Sequence, residues 1–220
     1  MKTVTVLLMA VVAVGLAPAD EKTATEKWSN EISTLEKKWA AAEQAPGGAL
    51  FVGSSSIRLW KLKDSFPELA AANHGFGGSE VSDSVLFFDR IVLPVKPRVI
   101  VLYAGDNDIA SGKSPETICD DVKRFFELVS EKLPDCQRVV YIAIKPSVKR
   151  WNLKDQQLDA NERIKELCRE SGDRFTFLDI WPLMLNAEGT PRPELLVEDG
   201  LHLNADGYKI WSEALSPHLK

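Results

Sequence analysis

Four short stretches carry the residue types that acyl chemistry needs. The first is Ser54-Ser55-Ser56, three hydroxyls directly after the apolar run Ala49-Leu50-Phe51-Val52 and the breaking residue Gly53. The second is a glycine-rich turn, His74-Gly75-Phe76-Gly77-Gly78-Ser79. The third is Gly105-Asp106-Asn107-Asp108, and the fourth is Asp199-Gly200-Leu201-His202. A serine hydroxyl is a poor nucleophile at neutral pH and needs a base within hydrogen-bond reach. A neutral imidazole suits. A carboxylate three residues before it is close enough to accept from one ring N–H, fixing the tautomer and stabilising the imidazolium that forms. Attack on an ester carbonyl makes an oxyanion, which donors already in place must hold. Glycine lets backbone N–H groups approach, and an asparagine adds a side-chain amide. A serine, a histidine with its carboxylate and two sources of fixed donors are the parts of a serine esterase, with the nucleophile open among residues 54–56. Taken singly, each stretch has a plainer reading as a helix-capping serine turn, a set of turn glycines, a turn asparagine or a histidine at a helix start.

These stretches converge only if the chain builds one sheet edge. Trp28, Ile32, Leu35 and Trp39 recur at helical spacing and predict an amphipathic helix to about Glu43, after a loose polar segment over residues 20–27. Strands are predicted at residues 49–52, 69–73, 98–104, 139–144 and 175–180. Between them, helices begin near Ile57, run from Val81 to near Pro94, start at Ser114-Pro115, and cover 154–170; Asn204 caps a last one. Residues 64–67 read as a turn and 182–201 as mostly irregular. The unbroken apolar run Val99-Ile100-Val101-Leu102-Tyr103 suits a parallel sheet covered on both faces. Alternating strands and helices with right-handed crossovers give an α/β fold, a three-layer α/β/α sandwich of about five parallel strands. All four stretches then fall at the carboxyl edge, where open α/β sheets place their chemistry.

In the same order, the four stretches resemble the four sequence blocks of the SGNH (GDSL-type) hydrolases. Residues 53–60 are similar to the G-D-S-I/L block, residues 73–79 to the glycine block, Gly105-Asp106-Asn107-Asp108 to G-x-N-D and Asp199-Gly200-Leu201-His202 to D-x-x-H. Ser54 stands where the first block has aspartate, and Ser79 where the second often has one. The resemblance spans residues 49–220 and leaves 20–48 as an N-terminal extension. It implies a flavodoxin-like sheet of order 2-1-3-4-5. It also implies Ser55 as nucleophile, His202 as base, Asp199 as its orienting carboxylate, and the backbone N–H groups of Ser55 and Gly78 with the Asn107 amide as oxyanion hole. No metal or cofactor is implied. Phe76, Trp60, Trp151 and Trp181 either line the acceptor side or belong to the core.

Lys2, the apolar stretch from Val4 to Leu16 and Ala17-Pro18-Ala19 before Asp20 read as a cleavable signal peptide over residues 1–19, hence a secreted or periplasmic protein. The stretch is short of the roughly 20 residues a membrane span needs. The net charge is −5, from 27 Lys+Arg against 32 Asp+Glu, without a basic tract, which argues against nucleic acid as a partner. Of Cys119, Cys136 and Cys168, a Cys136–Cys168 disulfide is compatible with the layout, and so are three free thiols. The expected activity is hydrolysis of a small ester with a short acyl group, an O-acetyl group on a carbohydrate being one candidate. The alternatives are a lysophospholipase or thioesterase on the same residues, and a non-catalytic carbohydrate-binding module.

Overall fold

The computed structural model describes residues 19–42 and 47–219. The expected signal peptide lies outside the described residues, Ala19 apart. Helix α1 (Ala19–Ala41) leads into strand β1 (Ala49–Gly53), followed by the short helices α2 (Ser55–Arg58) and α3 (Leu62–Ser65). Then come β2 (Ala71–Gly75), α4 (Val81–Leu86), α5 (Phe88–Ile91), β3 (Val99–Tyr103), α6 (Asp106–Ala110) and α7 (Pro115–Lys132). The chain ends with β4 (Arg138–Ile142), α8 (Lys154–Glu170), β5 (Phe175–Leu178) and α9 (Ala205–Leu215). The five strands form one parallel sheet of order β2-β1-β3-β4-β5, the expected flavodoxin-like arrangement.

Side chains of a strand alternate between its two faces, and here both faces are covered. On one, Leu50, Val52, Ile100, Leu102 and Val139 meet apolar residues of α1, α4, α5, α7 and α8. On the other, Phe51, Val101, Tyr103 and Val140 meet Ile57, Trp60, Leu62, Trp211 and Leu215, from α2, α3, α9 and the turn between α2 and α3. This double burial explains why β1 and β3 read as unbroken apolar runs.

Helix α1 belongs to the first of these cores. Trp28, Ile32 and Leu35 are buried in it, and Trp28 packs edge-on against Phe76 at 5.3 Å. Arg90 of α5 reaches back to Glu36 with two bonds of 2.7 Å. Each buried side chain contributes roughly 1.5–3 kcal/mol, whereas a partly exposed ion pair adds about 1 kcal/mol or less. Packing therefore holds the helix, and the ion pair sets its register.

Several local expectations are corrected. Residues 20–27 are helical, not loose: their alanine, glutamate and lysine content favours helix. Strand β2 lies two residues later than predicted. Parallel pairing with β1 takes in Asn73-His74-Gly75 despite their weak strand preference, opposite Phe51, Val52 and Gly53. Residues 62–65 form a helical turn that begins two residues before the turn expected over 64–67. The helix expected over 81–94 is divided at Phe87 into α4 and α5, with Phe87 and Phe88 both buried in the first core. Helix α6 was not foreseen. All three cysteines are free, Cys136 and Cys168 buried. Burial pushes the Cys168 thiol up to about 12, which keeps it protonated and inert.

Gly53 turns the chain from sheet to site. Its φ is +129°, and an added Cβ would lie 1.9 Å from the Tyr103 carbonyl oxygen, the same oxygen that accepts the Ser54 N–H at 2.9 Å. Gly112 also has positive φ, +97°, but open space around it. Gly112→Ala should therefore cost about 1–2 kcal/mol of backbone strain, and Gly53→Ala far more. Thermal unfolding of both variants checks this; equal shifts in Tm would remove the steric reason for glycine at 53.

Candidate active site

The hydroxyl triplet sits where β1 hands over to α2. Ser54 and Ser56 are buried, 0% and 1% exposed, while Ser55, the first residue of α2, is half-buried. Exposure thus separates Ser55 from its neighbours, which sequence reading alone could not do. At the first turn of a helix the backbone N–H groups have no carbonyl one turn back to bond, so the Ser55 N–H is a donor by position. Two ties hold α2 in place. Asn73 donates through Nδ2 to the carbonyls of Ile57 (2.7 Å) and Trp60 (3.1 Å), and the Tyr208 hydroxyl of α9 donates to the Ser56 carbonyl at 2.8 Å.

The segment before α9 brings the histidine. His202 Nε2 lies 2.9 Å from Ser55 Oγ, and Nδ1 lies 2.5 Å from Asp199 Oδ2. A carboxylate accepts but does not donate when ionised, so the ring proton belongs on Nδ1. Nε2 is then left to accept from the serine hydroxyl. The other carboxylate oxygen of Asp199 accepts the backbone N–H groups of Leu201 (2.8 Å) and His202 (2.9 Å). Burial works against ionisation here, but the imidazole and these two N–H groups outweigh it and bring the Asp199 carboxyl to about 2. The Lys149 N–H donates to the Gly200 carbonyl at 3.0 Å, so the segment after β4 braces this turn from outside.

The two donor loops are joined to each other. Gly78 is exposed, with φ +83°. The next residue, Ser79, is buried and donates its hydroxyl to the Phe76 carbonyl at 2.9 Å, closing the turn without the aspartate often found there. Asn107, in the first turn of α6, donates through Nδ2 to the Ser79 carbonyl at 2.9 Å. Its neighbour Asp108 is fully buried and accepts the Val81 N–H on both carboxylate oxygens, at 3.1 and 3.2 Å. Burial pushes Asp108 up to about 7 against the pull of Lys113 and this N–H. Adjacent residues of one block therefore grip both sides of the other block's loop.

A groove of about 630 Å³ opens on the histidine side, with Leu59, Trp60, Val197, His202 and Tyr208 among its lining residues. Trp60 is thus a wall residue anchored in the core. Its ring N–H donates to Ser65 Oγ at 2.9 Å. Phe76 and Trp181 are buried, Phe76 against Trp28, and Trp151 stacks on Trp181 at 6.2 Å. His74 is buried and bonds the Ile91 carbonyl through Nδ1 at 2.6 Å, a structural role. Sequence reading missed Asn73 as a tie, and it missed Lys145 and Arg150, which lie behind Asn107. A lysine directly after a buried strand was the available cue. Among the described residues, no group of three or more His, Cys, Asp or Glu side chains is placed to hold a metal.

The Asp199 carboxyl sits below its ordinary value of 3.8, so its pairing with His202 is fully present above about pH 4 and fades as pH falls toward 2. The side chain is more than a third exposed, and solvent screens its effect on overall stability. Carbon NMR of the carboxyl should give a midpoint near 2; a midpoint near 3.8 would mean the contact does not hold in solution.

Residues 53–210 match the model of the GDSL-like Lipase/Acylhydrolase family. Among solved structures, a candidate platelet activating factor from Streptococcus pneumonia is similar with a TM-score of 0.77 at 19% identity, covering 93% of this chain and 100% of that one. A GDSL-like lipase from Bacteroides thetaiotaomicron gives 0.72 at 17% identity, covering 88% and 96%. A catalytic mutant of an acetylxylan esterase from Geobacillus stearothermophilus gives 0.60 at 16%, covering 81% and 96%. At these identities the likeness is one of fold. No curated protein matches the sequence. Because the family model takes in most of the chain, from the turn after β1 into α9, the protein belongs to the GDSL-like lipase/acylhydrolase family and is a carboxylic ester hydrolase.

Proposed function

We propose that this chain is an exported serine esterase that cleaves short-acyl esters by an acyl-enzyme route. Ser55 is the nucleophile, His202 the base and Asp199 the carboxylate that orients it. The backbone N–H groups of Ser55 and Gly78 and the Asn107 side-chain amide bind the oxyanion. The observation that carries this reading is the 2.9 Å contact from His202 Nε2 to Ser55 Oγ, with the far ring nitrogen held by a carboxylate.

In the first half-reaction Ser55 Oγ bonds to the ester carbonyl carbon and its proton passes to His202 Nε2. Negative charge moves to the carbonyl oxygen, where the three donors meet it. The carbon–alkoxide bond then breaks, and His202 returns the proton to the departing alcohol. In the second half water takes the place of the serine, His202 removes its proton, and collapse of the intermediate frees the acid and restores Ser55. Ester and water balance the reaction without a cofactor. Asp199 stays ionised throughout, so the imidazolium always has its counter-charge.

Export is read from residues 1–19. A cut after Ala19 would leave residues 20–41 of α1 in the mature chain, and the mature protein should begin at Asp20, as N-terminal sequencing can check. A second reading is favoured by the groove beside His202, whose exposed Leu59 and Val197 suit an alkyl chain. It makes the substrate a longer-chain ester, such as a lysophospholipid, or a thioester.

Ser55→Ala should lower kcat by several orders of magnitude and abolish labelling by a fluorophosphonate, while Ser54→Ala keeps the label. A wild-type protein that resists the reagent would be a binding module. Rates on nitrophenyl esters should peak at acetate or propionate; a peak at octanoate would replace the short-acyl reading with the second one. For the preferred ester, a histidine base predicts that kcat/KM rises from acid to neutral pH. A flat profile there would rule out a histidine base.

A further inference from the structure

We propose that Arg150 is a positioning residue for the oxyanion site, acting through Asn107. The inference rests on the reading of Asn107 as an oxyanion donor. Arg150 Nη2 donates to Asn107 Oδ1 at 3.0 Å, and Asn107 Nδ2 donates to the Ser79 carbonyl at 2.9 Å. A primary amide has two N–H donors, so one N–H remains for the oxyanion. Both ends of the amide are fixed: a flipped Asn107 would set its nitrogen against the guanidinium and its oxygen against a carbonyl. The bond from a cation to Oδ1 also draws electron density from the amide and makes the remaining N–H a stronger donor.

The guanidinium is itself held from behind. Arg150 Nη1 lies 3.0 Å from Asp106 Oδ2. Lys145 Nζ lies 3.4 Å from the same oxygen and 3.3 Å from the Tyr103 hydroxyl. Lys145 and Asp106 are buried, 1% and 4% exposed. Burial lowers the Lys145 pKa against the pull of Asp106, and of the two cations Arg150 lies the closer to the shared carboxylate oxygen. The Arg150 N–H donates to Ser147 Oγ at 3.3 Å, which seats the start of the side chain. Buried ion pairs are seldom worth more to stability than well-packed apolar residues. A charged group set against the oxyanion amide has a catalytic rationale that stability does not supply.

The test is a double-mutant cycle on an acetate ester, measuring kcat and KM for wild type, Arg150→Met, Asn107→Ala and the pair. Complete loss of an oxyanion donor costs about 10²–10³ in kcat, and here the donor is degraded but still present, so Arg150→Met should lower kcat by about 10- to 100-fold. KM should stay within about twofold of wild type, since the contact matters only once charge develops. In the Asn107→Ala background, Arg150→Met should cost nothing further in kcat. If the two losses multiply, Arg150 does not act through Asn107 and the inference is overturned while the proposed site stands. If Asn107→Ala alone leaves kcat unchanged, the oxyanion assignment fails and the inference with it. Should Arg150→Met not fold, Arg150→Lys carries the same cycle: an ammonium keeps a cation for Asp106 but lacks the second prong that reaches Asn107.

Discussion

The hydrogen bond between His202 and Ser55 joins segments 147 residues apart in sequence, and most of the fold bears on keeping its length. Neither residue can move alone. Ser55 opens a helix of one turn, pinned below by the tight crossing of Gly53 over β3 and at its far end by Asn73. His202 sits in a turn closed on itself by Asp199, braced outside by Lys149, and followed at once by α9, whose Tyr208 bonds the carbonyl of Ser56. The route from Ser55 to His202 through the protein is thus a closed ring of short contacts. A parallel sheet makes that ring possible because every strand delivers its carboxyl end to the same edge.

The donor side is built by a different means. Gly78 lies on an exposed turn with little packing of its own, and loops of that kind move easily. It is held through neighbours: Ser79 closes the turn, Asn107 takes the Ser79 carbonyl, and Asp108 takes the Val81 N–H with both oxygens. Lys113 then ties Asp108 to Glu80 and Asp121. Helix α1, outside the matched family region, adds the ring of Trp28, which packs against Phe76 and lies 3.7 Å from where a Cβ on Gly78 would stand.

This division explains what could be read from the sequence. Strand and helix periods, the Ser114-Pro115 start and the Asn204 cap are local signals, and the helices and strands they mark are present. The four blocks were legible because each contains residue types rare in combination. The ties were not. Asn73, Lys145 and Arg150 are ordinary residues whose meaning comes from contacts across the fold, and no spacing rule predicts a contact set by strand order. The shift of β2 has the same origin, since its limits follow its partner's register. Ser79 shows the reverse case: a residue that departs from the family pattern closes the same turn with a hydroxyl.

The site is also divided by polarity. On one face of the sheet α2 and α3 are single turns, and α3 meets α9 across a narrow gap. Beside these short helices lies the groove lined by Trp60, Val197 and Tyr208. The donor side instead backs onto the charged cluster of Asp106, Lys145 and Arg150. An ester presents one oxygen that gains charge during attack and two arms that do not. Charge is stabilised best where fixed dipoles and a cation face it in a dry setting, and alkyl or ring surface is best placed against apolar walls. Under the proposed function, this arrangement would orient the substrate before any bond changes, with the carbonyl oxygen toward Asn107 and one arm in the groove. Orientation of this kind removes much of the entropic barrier to attack, which is why the chemistry itself can rely on so few residues.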